Sequence, residues 1–216
     1  RILYWGVSFE GIRPDYRQLM LYDLATGQTR SLVPDGKYRI TQVGWWGTDI
    51  WFEGGDPHTS VSRSPKLYLL NPATGDCRTF CAPDGFLGTS AIGDMSLGGG
   101  KVCAVQGDSL YAVRLQRDVT ALLRFDKAGN FAPVASYEGI ACFDIIGENA
   151  YLAAFRDHRP QELYRQPLSG GEPERLTQFH DAFLETRQIS RPEHITFRSR
   201  DGQEAVSYTH LRAHET

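Results

Sequence analysis

An all-β fold of repeated four-stranded antiparallel units is what this chain of 216 residues predicts. Three observations predict it. Strand-like apolar runs flanking a glycine turn recur along the chain, since glycine supplies the positive φ that short hairpins need. The turn glycines Gly27, Gly75, Gly129 and Gly171 fall 48, 54 and 42 residues apart, too far for a single hairpin and close to the roughly 40 to 50 residues of a propeller blade. Each interval also holds an earlier strand pair, which makes a unit of four short strands. The prediction is a partial β-propeller of about three to four blades, three whole units and part of a fourth, truncated at both ends.

Taken in order, the chain starts inside a strand-like run, Ile2-Leu3-Tyr4-Trp5, with neither an initiator Met nor a signal peptide. The outer hairpins are read at residues 19–27, 67–75, 122–129 and 163–171. The inner pairs are read as 38–46 with 49–53, 91–97 with 101–105, and 140–146 with 150–155. Their turns are Trp46-Gly47-Thr48, Gly98-Gly99-Gly100 and Gly147-Glu148-Asn149. Longer loops at 54–64, 107–120 and 156–161 separate second from third strands, with 10–16 in the same slot of the first unit. Such loops on a rigid scaffold are where recognition takes place. The most polar are Gly55-Asp56-Pro57-His58 and Arg156-Asp157-His158-Arg159-Pro160, read as solvated loops or, alternatively, as a substrate-gating or docking surface.

Aromatic residues spread along the strands, Tyr4, Trp5, Trp45, Trp46, Trp51, Phe52, Tyr68, Tyr111, Phe143, Tyr151 and Tyr164, suit the wedge between twisted sheets. A stacking platform for sugars or bases is the competing use. The hydrophobic fraction of 41% and charged fraction of 23% are those of a globular protein, and a net charge of -3 without a basic face argues against nucleic acid and anionic membrane as partners. The longest apolar runs, such as 151–155, are far below the roughly 20 residues that span a bilayer. Cys77, Cys81, Cys103 and Cys142 do not make a disulfide framework: on one strand Cys77 and Cys81 lie roughly 13 Å apart, against a Cα limit of about 7 Å. They read as free thiols in a reducing, cytoplasmic setting.

Sites of chemistry are few. Gly93 and Gly98 have the spacing of a phosphate loop, but Gly99 stands where its lysine would be and no Ser or Thr follows Lys101. His210 and His214 have helical zinc spacing without a third ligand. No metal or cofactor site is read, and no Gly-x-Ser-x-Gly occurs anywhere, so no residue is assigned as nucleophile, base or oxyanion donor.

Past Thr177 the hairpin rhythm stops. Phe179 to Ile189 reads as a connector, and the alternation from Glu193 to Ser199 before Asp201-Gly202 signals a new strand and turn. The order Glu162-Leu163-Tyr164, Gly170-Gly171-Glu172-Pro173, Arg175-Leu176-Thr177, Pro192-Glu193, Ile195, Phe197, Ser199, Asp201-Gly202 resembles the junction in the prolyl oligopeptidase family of serine peptidases, where a β-propeller hands over to an α/β-hydrolase domain. The resemblance is strongest over 139–204 and holds at repeat level over 1–138. It implies three regions: residues 1–177 a partial propeller, 178–204 a connector with the first strand of a missing α/β-hydrolase domain, and 205–216 a foreign tail. It further implies a non-catalytic, substrate-gating part of an oligopeptidase or acylaminoacyl peptidase-like enzyme acting on peptides, with the Ser-Asp-His triad outside the chain. The alternative is a free-standing propeller that serves as a binding or scaffold module, which leaves 195–202 unexplained.

Overall fold

The computed structural model describes residues 1–6, 18–34, 36–59, 63–88, 100–116, 119–187 and 193–209. Among them, β1 (Ile2–Gly6), β2 (Gln18–Asp23) and β3 (Gln28–Val33) form a three-stranded sheet. Three four-stranded antiparallel sheets follow, each laid out in chain order. The second blade holds β4 (Arg39–Trp46), β5 (Asp49–Gly55), β6 (Lys66–Leu70) and β7 (Cys77–Cys81). The third holds β8 (Cys103–Gln106), β9 (Ser109–Gln116), β10 (Val119–Phe125) and β11 (Phe131–Tyr137), and the fourth β12 (Gly139–Ile146), β13 (Asn149–Phe155), β14 (Glu162–Pro167) and β15 (Glu174–Arg175). A short helix, α1 (Asp181–Glu185), and a separate hairpin of β16 (Glu193–Arg198) and β17 (Glu204–Thr209) complete the described chain.

The units repeat in detail. The inner pair bulges between Ile40 and Gln42 in the second blade and between Ile140 and Cys142 in the fourth. The outer pair bulges between Leu19 and Met20 in the first sheet and between Leu67 and Tyr68 in the second. Asp23, Asn71 and Asp126 each open an outer turn by accepting a backbone N–H two to four residues on, a local bond that favours turns over strand. Arg30 and Arg78 occupy equivalent positions. Each donates to a carbonyl in the outer turn of the next blade, Arg30 to Pro72 and Arg78 to Lys127. Pro133, which cannot donate to a ladder, sits on β11, the outer edge of its sheet.

The core lies between blades. Because successive strand residues point to opposite faces, Ile50 and Phe52 of β5 enter the cluster shared with the first sheet, while Trp51 enters the cluster shared with the third blade. On β9, Leu110 and Ala112 face the second blade, and Tyr111 and Val113 the fourth. Each fully buried Leu, Ile or Phe contributes about 1.5–3 kcal/mol. Buried Trp46, Trp51, Phe52, Tyr111, Phe143 and Tyr164 occupy these interfaces as the aromatic pattern predicts, whereas Tyr4 and Trp5 are exposed. Close approach makes one glycine obligatory: a Cβ on Gly129, at φ +98, would meet the Phe80 carbonyl oxygen at 1.9 Å.

The third blade corrects the sequence reading. Residues 107–120 were expected to be a loop, but β8 pairs with β9 across Gly107-Asp108, where Gly107 has φ +55, so Ser109–Gln116 is strand; the expected pairing of 101–105 with 91–97 across the Gly98–Gly100 turn falls on residues outside those described. The physical reason is that β9 is buried on both faces and shows a continuous apolar run, Leu110-Tyr111-Ala112-Val113, rather than alternation. Residues 91–99 and the loop at 10–16 lie outside the described residues. Residues 205–209, expected in a foreign tail, pair with β16 as β17, and His210 and His214 lie outside the described residues.

One buried acid ties the second blade to the crossover that follows it. Glu53 is 1% exposed; it accepts from the Leu87 amide at 2.6 Å and from the Thr41 hydroxyl. Burial pushes its carboxyl up, against the pull of those two donors. Replacing Glu53 by Ala leaves the Leu87 N–H without its acceptor, and the expected loss is about 1–3 kcal/mol in a urea titration. Phe52→Ala, which empties the stack with Tyr68 at 4.9 Å between ring centroids, is expected to cost about 3–5 kcal/mol in the same measurement.

Candidate functional site

The two polar loops singled out in the sequence have different structures. In the first, Asp56 accepts from the His58 amide at 2.8 Å and its carbonyl accepts from Thr59, so the loop closes on itself. The second leaves β13 through Asp157 and His158, both at positive φ (57° and 55°), a conformation uncommon outside glycine. It persists because its groups are held: the His158 amide donates to both carboxylate oxygens of Glu138 at 3.1 Å, and Arg156 donates to Glu172 at 2.8 Å.

From this loop a charge network reaches the connector. Arg159 donates to Asp181 Oδ1 at 2.6 Å, and Arg175, in the last strand of the blade, grips both oxygens of Asp181 at 2.7 Å. Parallel bonds of this fork-like kind fix direction as well as distance. One turn away, Glu162 opens β14 with its side chain buried. It accepts from the Thr177 hydroxyl, the Phe179 amide at 3.2 Å and the His180 amide at 3.1 Å, and His180 Nδ1 lies 3.0 Å from Oε1. Polar contacts therefore set the start of the connector, since α1 buries no residue and has no side-chain cap.

Electrostatics agree with that geometry. Burial pushes the Glu162 carboxyl up, yet the Thr177 hydroxyl, the His180 ring and the two amides outweigh it and leave it below the usual value. The Arg175 guanidinium, helped by Arg159, holds Asp181 low as well. Beside the clamp lies exposed apolar surface: Phe179 at 72%, Phe183 at 56%, and Leu163 and Leu176.

The sequence reading placed Glu162 in a strand motif and the loop at 156–160 in solvent or at a docking surface. The structure brings both to the connector together with Asp181, which sequence reasoning missed. The usable signal was the density of acids and bases around Pro160 and Pro173. Elsewhere, Cys77, Cys81, Cys103 and Cys142 are free thiols, and burial pushes the Cys103 thiol well up. Among the described residues no three His, Cys, Asp or Glu side chains converge as metal ligands, and no helix is long and apolar enough to cross a membrane.

No protein-family model matches the chain, and no curated protein matches it in sequence. Among solved structures it is similar to the acylaminoacyl peptidase of Pyrococcus horikoshii, with a TM-score of 0.66 and 17% identity over 95% of this chain and 30% of that one. It is similar to a puromycin hydrolase, with a TM-score of 0.64 and 16% identity over 96% of this chain and 31% of that one. A third match, to the β-propeller domain of the trilobed protease from Pyrococcus furiosus, has a TM-score of 0.54 and 16% identity over 83% of this chain and 51% of that one. The fold is a partial β-propeller, like those of peptidases. At these identities the likeness is one of fold, and the chain spans about 30% of the first two structures' length. In this propeller the clamp pins residues 178–181 against the last blade.

Because both clamping carboxylates are held low, their contribution is complete at neutral pH and is lost as the pH falls below about 4, the usual carboxylate value. Hydrogen exchange at the Phe179 and His180 amides is expected to be slow and flat from pH 7 to 5, after correction for intrinsic rates, and to accelerate below that value. Glu162→Ala should bring the fast exchange to pH 7, and Asp181→Asn should expose the connector to limited proteolysis without lowering β content in far-UV circular dichroism.

Proposed function

We propose that this chain is the non-catalytic, access-gating propeller of a peptide-hydrolysing serine peptidase, and that the connector leads to an α/β-hydrolase domain carrying the Ser-Asp-His triad. The observation that carries the reading is the clamp. A segment that buries no residue in α1 is fixed in direction by Glu162 and by the Arg159–Asp181–Arg175 cluster, and a second hairpin, β16 with β17, follows it in chain order. A free-standing propeller has no need to aim its exit. The exposed Phe179 and Phe183 beside the clamp supply apolar area for a domain to rest on. The matches to peptidase structures support the same reading, as does the ordered resemblance over 162–202.

In this arrangement the blades do no bond-breaking. They decide what reaches the catalytic domain, admitting short or unfolded peptides and excluding folded protein by size. Four free thiols suit a reducing compartment, and we place the enzyme in the cytoplasm. The gene is expected to encode a Gly-x-Ser-x-Gly elbow downstream of the codon for Gly202. Its full product should hydrolyse blocked dipeptide p-nitroanilides, lose that activity when the elbow serine is replaced by Ala, and cleave unfolded casein faster relative to the dipeptide once residues 1–177 are deleted. Further blades in place of a hydrolase region would overturn the proposal in favour of a scaffold.

A further inference from the structure

The innermost strands β4, β8 and β12 lie side by side, and among the described residues each is the edge of its sheet. A two-residue hairpin turn closes on a pair that exchanges both hydrogen bonds, and pairs then alternate. Since Trp46 pairs with Asp49, Gln106 with Ser109 and Ile146 with Asn149, the amides that point away from the sheet are those of Val43 and Trp45, Cys103 and Val105, and Phe143 and Ile145.

On β12 these outward amides are occupied. Phe143 donates to the Lys101 carbonyl of the neighbouring blade at 2.9 Å, and Ile145 donates to Asp144 at 3.0 Å. Among the described residues, Val43, Trp45, Cys103 and Val105 have no such acceptor. These four residues line a single cleft of about 520 Å³ between β4 and β8, walled by Gln42–Trp45 on one side, Gly100–Val105 on the other, and the Trp51 ring. Gly44 lets that ring lie close, since a Cβ there would meet Trp51 Nε1 at 2.8 Å. The volume lies within the about 300–1,000 Å³ of small-ligand pockets.

We infer that this cleft binds an extended peptide by strand addition, its carbonyls taking the outward amides of β4 and β8 as the Lys101 carbonyl takes that of Phe143. Outward amides repeating every second residue match another extended backbone, and an aromatic wall favours apolar side chains at alternate positions. The choice of a peptide rests on the peptidase reading; the direction of the outward amides does not. On that reading the cleft is a holding site inside the propeller, away from the bond-breaking domain.

The test is calorimetric titration of the full chain with acetyl-Val-Thr-Val-Thr-Val-amide and with the same peptide N-methylated at alternate residues on either face. N-methylation bars a peptide from pairing along one edge while leaving its side chains unchanged. The unmodified peptide is expected to bind, each N-methylated form to bind about tenfold more weakly, and Val43→Pro to weaken the unmodified peptide to a similar degree. Proline at Val43 removes an outward amide without removing a bond to β5. Should Val43→Pro alter the far-UV circular dichroism, the N-methyl comparison on the unaltered protein decides. No binding, or equal binding by all three peptides, would overturn the inference. A gene without a hydrolase region would remove the peptidase reading and leave this titration to stand. An active peptidase whose chain binds none of the peptides would keep that reading and lose this one.

Discussion

Burial of strands on both faces is the constraint on which the rest of this structure depends. An isolated four-stranded sheet has no core of its own here. Phe52 shares its cluster with Leu19 and Val33 of the sheet before it, and Leu122 with Ile140 and Leu152 of the sheet after it. Stability is therefore shared between neighbours, and a change on one face of β5 or β9 is felt by a different blade from a change on the other. The polar links obey the same logic: Arg30 and Arg78 each close a gap to the next outer turn, and Lys127 reaches back to Asp49 at 2.7 Å.

That constraint explains what the sequence disclosed and what it concealed. The first three outer hairpins were legible because each has its own local chemistry, an Asp or Asn whose side chain bonds the turn and then a glycine at positive φ, and the fourth by its paired glycines Gly170-Gly171 at positive φ. The period then gave the blades. Strand β9 was not legible, because a strand between two blades has no polar face, and periodicity cannot separate a continuous apolar run from other buried segments. The cluster Gly98-Gly99-Gly100 was a more conspicuous turn signal than Gly107-Asp108, so the real hairpin turn at Gly107-Asp108 was read as the start of a loop. The clamp was half legible. Its loop was noticed for its charge, but the pairing of Glu162 with amides at 179 and 180 spans a returning strand, and no local pattern announces it.

Two kinds of unsatisfied backbone thus shape this propeller, and the chain treats them differently. At the outer end of the fourth blade, the amides of Phe179 and His180 are captured by one buried carboxylate, which converts an irregular exit into a fixed one. Along the axis, the corresponding need on β12 is met by a carbonyl of the adjacent blade. Between β4 and β8 no such carbonyl meets it among the described residues, and the inferred peptide would. The difference is local: the Lys101 carbonyl, just before β8, reaches the Phe143 amide, while the Trp51 ring lies across Gly44 on the side of the cleft that faces β8. Gly44 and Trp51 thus shape the wall of the cleft, because the ring occupies the space that a side chain on the glycine would fill. Among the described residues the repeat is regular in its outer bulges, and at this interface the outward amides of two inner strands have no acceptor from the neighbouring blade, which is why the inferred peptide is placed there.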